Sequence, residues 1–391
     1  MLNKDIFFNN NLKKNFNKNT KETKKKFNYL KSSIKNSNIP LLNSFKKNYP
    51  LNFSKKTIKK YSKYKNIFII GMGGSILGSK AIFSFLNKKI KKNFFFFGDL
   101  DNKVLLKFKK NKKLNNSCFI IVSKSGNTLE TLANLDLIFS KSLFKKKIII
   151  ITELKNSKLM NIAQKYKAEV IEHKKFIGGR FSVLSEVGMF PAALMNLNIT
   201  KFANLKKLIG NKKLMSSLIN NVSYVYTFNK LGIKNSVILN YDSELEDLCL
   251  WYQQLSAESL GKNGKGITPI ISACPRDHHS LLQLYIDGPK DKFFTFFSSK
   301  SKKKSKLQST IDAQCESVKK IFKNKKIPYR HFIFKKNDEN ELGSVFLFFI
   351  LETLLLAQLM KVNPYDQPAV QQIKEETKRI LSKYKFSKDY F

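Results

Sequence analysis

The chain is poor in the residues that most often mark a site. Only four of its 73 basic residues are Arg (Arg180, Arg276, Arg330 and Arg379), there are four His and one Trp, and the four Cys (Cys118, Cys249, Cys274 and Cys315) are scattered without a CxxC. Such spacing suits neither a zinc cluster nor a disulfide scaffold; reduced thiols in a cytoplasmic protein are expected. The adjacent His278 and His279 have no HxxxH spacing and no neighbouring Cys, so no metal site is expected. Long apolar runs are also lacking. The N-terminus, MLNKDIFFNNNLKKNF, has no sustained apolar segment, so no secretory leader is expected. The longest apolar stretch, residues 345–360, is interrupted by Glu352, Thr353 and Gln358; it reads as a buried helix, too short to cross a bilayer.

Acidic residues are few, 28 in all, and the formal net charge is +45. Such a surface normally raises the question of nucleic acid. The excess is almost all Lys, however, and Asn, Ile and Phe are abundant too; all four have codons rich in A and T, so drift in an AT-rich genome accounts for it. Arg, which makes bidentate contacts to bases and phosphates, is the scarce residue. No specific nucleic-acid partner is expected. At 391 residues the chain can bury a large core and form two or three domains.

After about 60 Lys- and Asn-rich residues a repeating pattern begins. The apolar runs NIFII, NFFFFG, CFIIVS, KKIIIIT and AEVIEH are separated by helix-length segments; SVILNYD, FFTFFSS and YRHFIFK form a second series. Continuous apolar runs alternating with helices predict parallel sheets covered on both faces. The expected architecture is α/β, with two doubly wound domains whose sheets are rich in parallel strands. Its segments are an N-terminal helical segment (1–60), a first domain (61–200), a helical connection (201–235), a second domain (236–340) and C-terminal helices (341–391).

Two corners of the first series share a design. NIFII runs into Gly71-Met72-Gly73-Gly74-Ser75, and CFIIV into Ser123-Lys124-Ser125-Gly126-Asn127-Thr128. Small side chains at a strand-to-helix corner let a phosphate approach backbone N–H groups, and hydroxyls add donors. Other Gly-rich phosphate loops fit less well. Ser79-Lys80 is out of register for a Walker A loop, and Ile76 stands where a dinucleotide fingerprint needs Gly. GMGGS by itself is equally a tight turn.

Arg180 in GGRFSVLS could reach into a crevice or pair with Glu186. In DSELEDLCLWYQQLSAESLG, Ser243 and Glu246 have capping-box spacing, Gly261 is a helix stop, and Gln254 and Glu258 share a helix face. Glu258 suits a general base, or is a surface carboxylate. His279 and Gln283 are expected on one helix face, with His278 pointing elsewhere. Gln367 precedes Pro368, a favoured first helical residue, and Lys374 lies two turns on, one Lys among many.

Together the motifs GMGGSILGS, SKSGNTLET, GGRFSVLSEVG, QQLSAESLGK, HSLLQL and DQPAVQQIK, spread over most of the chain, resemble the glucose-6-phosphate isomerase family. The resemblance implies two sugar-isomerase (SIS-type) domains and interconversion of glucose 6-phosphate and fructose 6-phosphate through a cis-enediol, with no cofactor. It places the substrate phosphate on Gly74, Ser75, Ser123, Lys124, Ser125 and Thr128, with Gln254 and Gln367 as further binding residues. Arg180 would stabilise the enediolate, Glu258 would move the proton, and His279 with Lys374 would open the ring. His279 would come from the neighbouring subunit of a homodimer. A bifunctional phosphoglucose/phosphomannose isomerase, or a non-catalytic sugar-phosphate sensor, are the alternatives. The departures are a short chain, QPAV for QPGV, and Met72 where Ile is usual.

Overall fold

The computed structural model describes residues 6–7, 13–101, 116–138, 147–300 and 305–384. Its strands are β1 (Ile6–Phe7), β2 (Asn66–Ile70), β3 (Asn93–Phe97), β4 (Ser117–Val122), β5 (Ile148–Thr152), β6 (Glu169–Glu172), β7 (Asn235–Asn240), β8 (Thr268–Ala273), β9 (Lys292–Ser299) and β10 (Tyr329–Phe334). They form two five-stranded sheets, β3-β2-β4-β5-β6 and β1-β10-β9-β7-β8. Every pairing is parallel except that of β1 with β10. The expected α/β class is observed. The chain divides into two compact units that do not follow chain order.

The β2–β6 unit comprises Pro50–Phe83, Asn87–Ile199 and the described residues from Tyr365 on. β2, β4 and β5 are buried at every position, because helices cover both faces and no alternation with polar residues is possible. Phe68, Ile70, Phe119, Ile121, Ile148 and Ile150 make the core with Leu159 of the Lys158–Tyr166 helix. Each such side chain contributes about 1.5–3 kcal/mol when fully buried. The strand order reverses between β2 and β4, so this is the topological switch point, where the carboxyl ends of a parallel sheet open into a crevice. The GMGGS and SKSGNT corners follow those two strands.

The β7–β10 unit comprises the described residues up to Tyr49, Ser84–Leu86 and Thr200–Pro364. Here the N-terminal helix Lys13–Lys35 packs along Lys212–Lys230: Asn19 Nδ2 donates to Thr227 Oγ1 at 2.8 Å, and Phe16 stacks on Tyr224 with ring centroids 4.0 Å apart. The Glu339–Met360 helix, 22 residues, is long and apolar enough to cross a membrane; residues 339–344 (ENELGS) lengthen the helix ahead of the apolar run read from the sequence. It is instead a core helix, with 89% of its apolar window buried. Among its buried residues, Glu352 takes the guanidinium of Arg330 (Nη1 to Oε2, 2.6 Å) and the hydroxyl of Tyr252 (2.8 Å).

Two strands escaped the sequence pattern. β1 is two residues long, too short to show a period. β8 contains Pro269, which normally demotes an apolar run. β8 lies at the sheet edge, and the Pro269 carbonyl accepts from Gln253 Nε2 at 2.9 Å, on the side away from β7. N–H and C=O of one strand residue point the same way, so the N–H that proline lacks costs no ladder bond.

Candidate active site

The corner after β2 is made by conformations and contacts that only glycine meets. Gly73 has φ +52°, in the left-handed region. A Cβ on Gly74 would lie 2.2 Å from the Gly179 carbonyl carbon, so the GMGGS and GGR turns touch backbone to backbone. Ser182 Oγ seals the contact, within hydrogen-bond distance of both Gly179 O (2.7 Å) and Gly74 O (3.2 Å). Ser75 closes the short 3-10 turn Gly73–Ser75, half-buried.

The corner after β4 is held by its own side chains. Ser123 is buried; its Oγ accepts from Gly126 N at 3.1 Å and shares a 2.7 Å hydrogen bond with Thr128 Oγ1, so Ser123 shapes the loop. Gly126 has φ +70°, Ser125 is exposed, and the Leu129–Ile138 helix starts immediately afterwards with its N–H groups at the corner. Lys124 donates to Lys175 O at 2.7 Å and lies 3.8 Å from Glu153. Burial lowers its pKa, Glu153 opposes, and Lys155 and Arg180 act in the same direction as burial. Lys124 and Lys155 thus share the Glu153 carboxylate at this corner, Lys155 at 2.5 Å.

Arg180 is 3% exposed and spans from its own turn to the start of the C-terminal helix Pro368–Leu381. Nη1 donates to Gln367 Oε1 at 2.8 Å and Nη2 to Asp366 O at 3.0 Å; Phe181 lies beneath the guanidinium, 5.4 Å from ring centroid to Cζ. The alternative pairing with Glu186 is not made. Glu186 Oε1 accepts the Asn52 N–H at 3.1 Å, its Oε2 is buried without a partner, and burial raises its pKa. Lys374 is exposed on the Pro368–Leu381 helix, none of whose residues is buried. The β2–β6 unit thus brings together Gly74, Ser75, Ser123, Lys124, Ser125, Thr128, Arg180 and Gln367.

In the β7–β10 unit the Glu246–Leu260 helix carries Gln254 and Glu258 one turn apart. Gln254 Nε2 donates to Glu258 Oε1 at 2.9 Å, which orients the carboxylate, and Gln254 Oε1 is buried with no partner. The entry to this helix differs from the capping box expected: Asp242, not Ser243, supplies the cap, its Oδ1 accepting Glu244 N at 2.9 Å ahead of a 3-10 turn. Asp competes well with Ser for this role and sits one residue nearer β7. Gly261 ends the helix as expected.

His279 is exposed in the 3-10 turn Arg276–His279, whereas Gln283 belongs to the separate helix Leu282–Asp287; they do not share a helix face. Ser280 has φ −125°, ψ −41°, and breaks the run between them. His278 is half-buried, with Nε2 2.8 Å from Tyr241 Oη. The sequence reading gave no role to Asp277, whose carboxylate organises this turn; an Asp two residues before the His was the available signal. All four cysteines are free, and burial pushes the Cys118, Cys274 and Cys315 thiols to about 12, far from nucleophilic.

A parallel sheet with a Gly-rich corner and a Ser- and Thr-rich corner at its switch point defines an α/β protein of the doubly wound class. Solved structures with the same fold include a hypothetical protein of Thermus thermophilus (TM-score 0.73, 22% identity, 84% of this chain and 87% of that one). Another is a glucose-6-phosphate isomerase of Chlamydia trachomatis (TM-score 0.72, 20% identity, 85% of this chain and 73% of that one). A family model described as phosphoglucose isomerase matches residues 53–273. The glucose-6-phosphate isomerase of Methanocaldococcus jannaschii is 33% identical over 348 residues, 83% of this chain and 86% of its own. That of Campylobacter jejuni is 30% identical over 354 residues, 81% of this chain and 86% of its own. The chain belongs to the phosphoglucose isomerase family.

Proposed function

We propose that the protein interconverts glucose 6-phosphate and fructose 6-phosphate as a homodimer in the cytoplasm, within glycolysis and gluconeogenesis. The observation that carries this reading is family membership with 33% identity across most of the chain. The reaction moves a hydrogen from C2 to C1 and leaves the overall oxidation state unchanged, so it needs no external electron acceptor.

In this reading the phosphate sits on the corners around Gly74, Ser75, Ser123, Lys124, Ser125 and Thr128, where backbone N–H groups and Lys124 supply donors. Glu258 removes the C2 proton and returns it at C1. Gln254 holds Glu258 through Nε2 and is left with an unpaired Oε1 for a sugar hydroxyl. Arg180 stabilises the oxyanions of the enediolate; Gln367 fixes its fork, so little reorganisation is required as charge develops. His279, supplied by the neighbouring subunit, and Lys374 exchange protons with the ring oxygen and the anomeric hydroxyl to open the pyranose. A sensor that only binds would need none of these proton-transfer groups.

The test is to supply purified protein with fructose 6-phosphate and follow glucose 6-phosphate through a coupled NADP-dependent dehydrogenase. Saturable turnover supports the reading. Binding of the sugar phosphate without turnover would leave the sensor.

A further inference from the structure

The turn bearing His279 hangs from one buried carboxylate. β8 ends at Ala273, and Arg276–His279 follows two residues later. Asp277, 8% exposed, folds back onto the strand end: Oδ2 accepts Ala273 N at 2.8 Å and the hydroxyl of fully buried Ser272 at 3.0 Å. Its Oδ1 accepts Arg276 Nε at 2.9 Å. Its backbone carbonyl accepts Leu281 N at 2.9 Å, which starts the next helical turn. Burial works to raise the Asp277 pKa, but the bonds from Arg276, Ala273 and Ser272 outweigh it and the group is lowered, so the carboxylate form is held.

His279 lies between these anchors. It is exposed, and no hydrogen bond to a described residue holds its ring, so the backbone of the turn sets the point from which the imidazole projects. We propose that Asp277 is the positioning residue for His279: by gripping the end of β8 it sets where the imidazole stands when the sugar ring opens. This rests on the reading of His279 as the ring-opening group. Asp277 touches no reacting atom and would affect only the step in which His279 takes part.

The experiment compares wild type, His279→Ala and Asp277→Asn on two substrates. One is cyclic glucose 6-phosphate, followed by turnover. The other is erythrose 4-phosphate, whose phosphate occupies the hydroxyl that would close a ring, followed by exchange of its C2 proton with deuterated solvent. Asp277→Asn is expected to lower kcat on glucose 6-phosphate by on the order of tenfold to a hundredfold, the cost of a misplaced catalytic group, with KM and erythrose 4-phosphate exchange little changed. Equal falls on both substrates would make Asp277 merely structural, and no fall on either would also overturn the proposal. If His279→Ala itself treats the two substrates alike, the ring-opening reading fails and takes this inference with it. Should Asp277→Asn not fold, Ser272→Ala removes one donor and keeps the carboxylate. It must show the same substrate-selective fall, smaller in size; no selective fall overturns the proposal.

Discussion

Glu258 stands in the last turn of its helix with one oxygen occupied by Gln254. A Gln there would still accept that bond but could not take a proton. Glu258→Gln is expected to keep ligand affinity and fold while lowering turnover by roughly 10²–10⁴, the contribution of a positioned base; loss of C2-proton exchange is the direct measurement. Glu186 is an ionisable residue of another kind. Its carboxyl is fully buried, one oxygen is unpartnered, and burial raises its pKa, so folding shifts its titration upward. Its contribution to stability is therefore complete below the ordinary Glu range and is lost as pH rises through the raised folded value. Glu186→Gln should raise the thermal midpoint at mildly alkaline pH, with the gain vanishing well below the ordinary Glu value of about 4.3, where the wild-type carboxyl is protonated folded or unfolded. A gain independent of pH would point to packing instead.

Among elements, the contact between the GMGGS and GGR turns has the least tolerance. Gly74→Ala would drive a methyl into the Gly179 carbonyl, so one turn must move. Overpacking of this kind costs about 1–3 kcal/mol, and because Arg180 follows Gly179 directly, the shift reaches the guanidinium. Gly74→Ala is expected to lower kcat and raise KM together, with far-ultraviolet circular dichroism unchanged. Wild-type kinetics would mean that the turns adapt elsewhere. The elements also separate what local pattern reveals from what it does not. NIFII, CFIIVS and KKIIIIT announced β2, β4 and β5 because central parallel strands are apolar on both faces. β8 was hidden by Pro269, tolerated only because β8 is an edge strand, and edge position is a property of the sheet rather than of the segment. Ser243 had the right spacing for a cap, but the chain leaving β7 turns one residue earlier, at Asp242.

For the whole molecule, the proposed dimer makes a quantitative prediction. If His279 serves the neighbouring site, His279→Ala and Glu258→Gln proteins, each inactive, should recover activity when their subunits exchange. A mixed dimer has one site with both good residues and one with neither. Random mixing therefore restores up to about a quarter of wild-type sites when half of the dimers are mixed. Coupled assay after exchange, verified by native mass spectrometry, measures it; no recovery would mean that each site is built within one chain.

By itself the amino-acid sequence determined the α/β class, most of the strands and the GMGGS and SKSGNT corners. These are written locally, in runs of buried residues and in backbone conformations that only glycine adopts freely. Six motifs in order were enough to indicate the family. Tertiary structure decided the rest. The described residues up to Tyr49 joined the β7–β10 unit, whereas those from Tyr365 on joined the β2–β6 unit. Arg180 took Gln367, 187 residues away, over Glu186, six residues away. His279 was left outward on a turn hung from Asp277. Partners distant in the chain are chosen by which segments pack against which, and helical or strand periodicity records only that a residue is buried, not what it meets there.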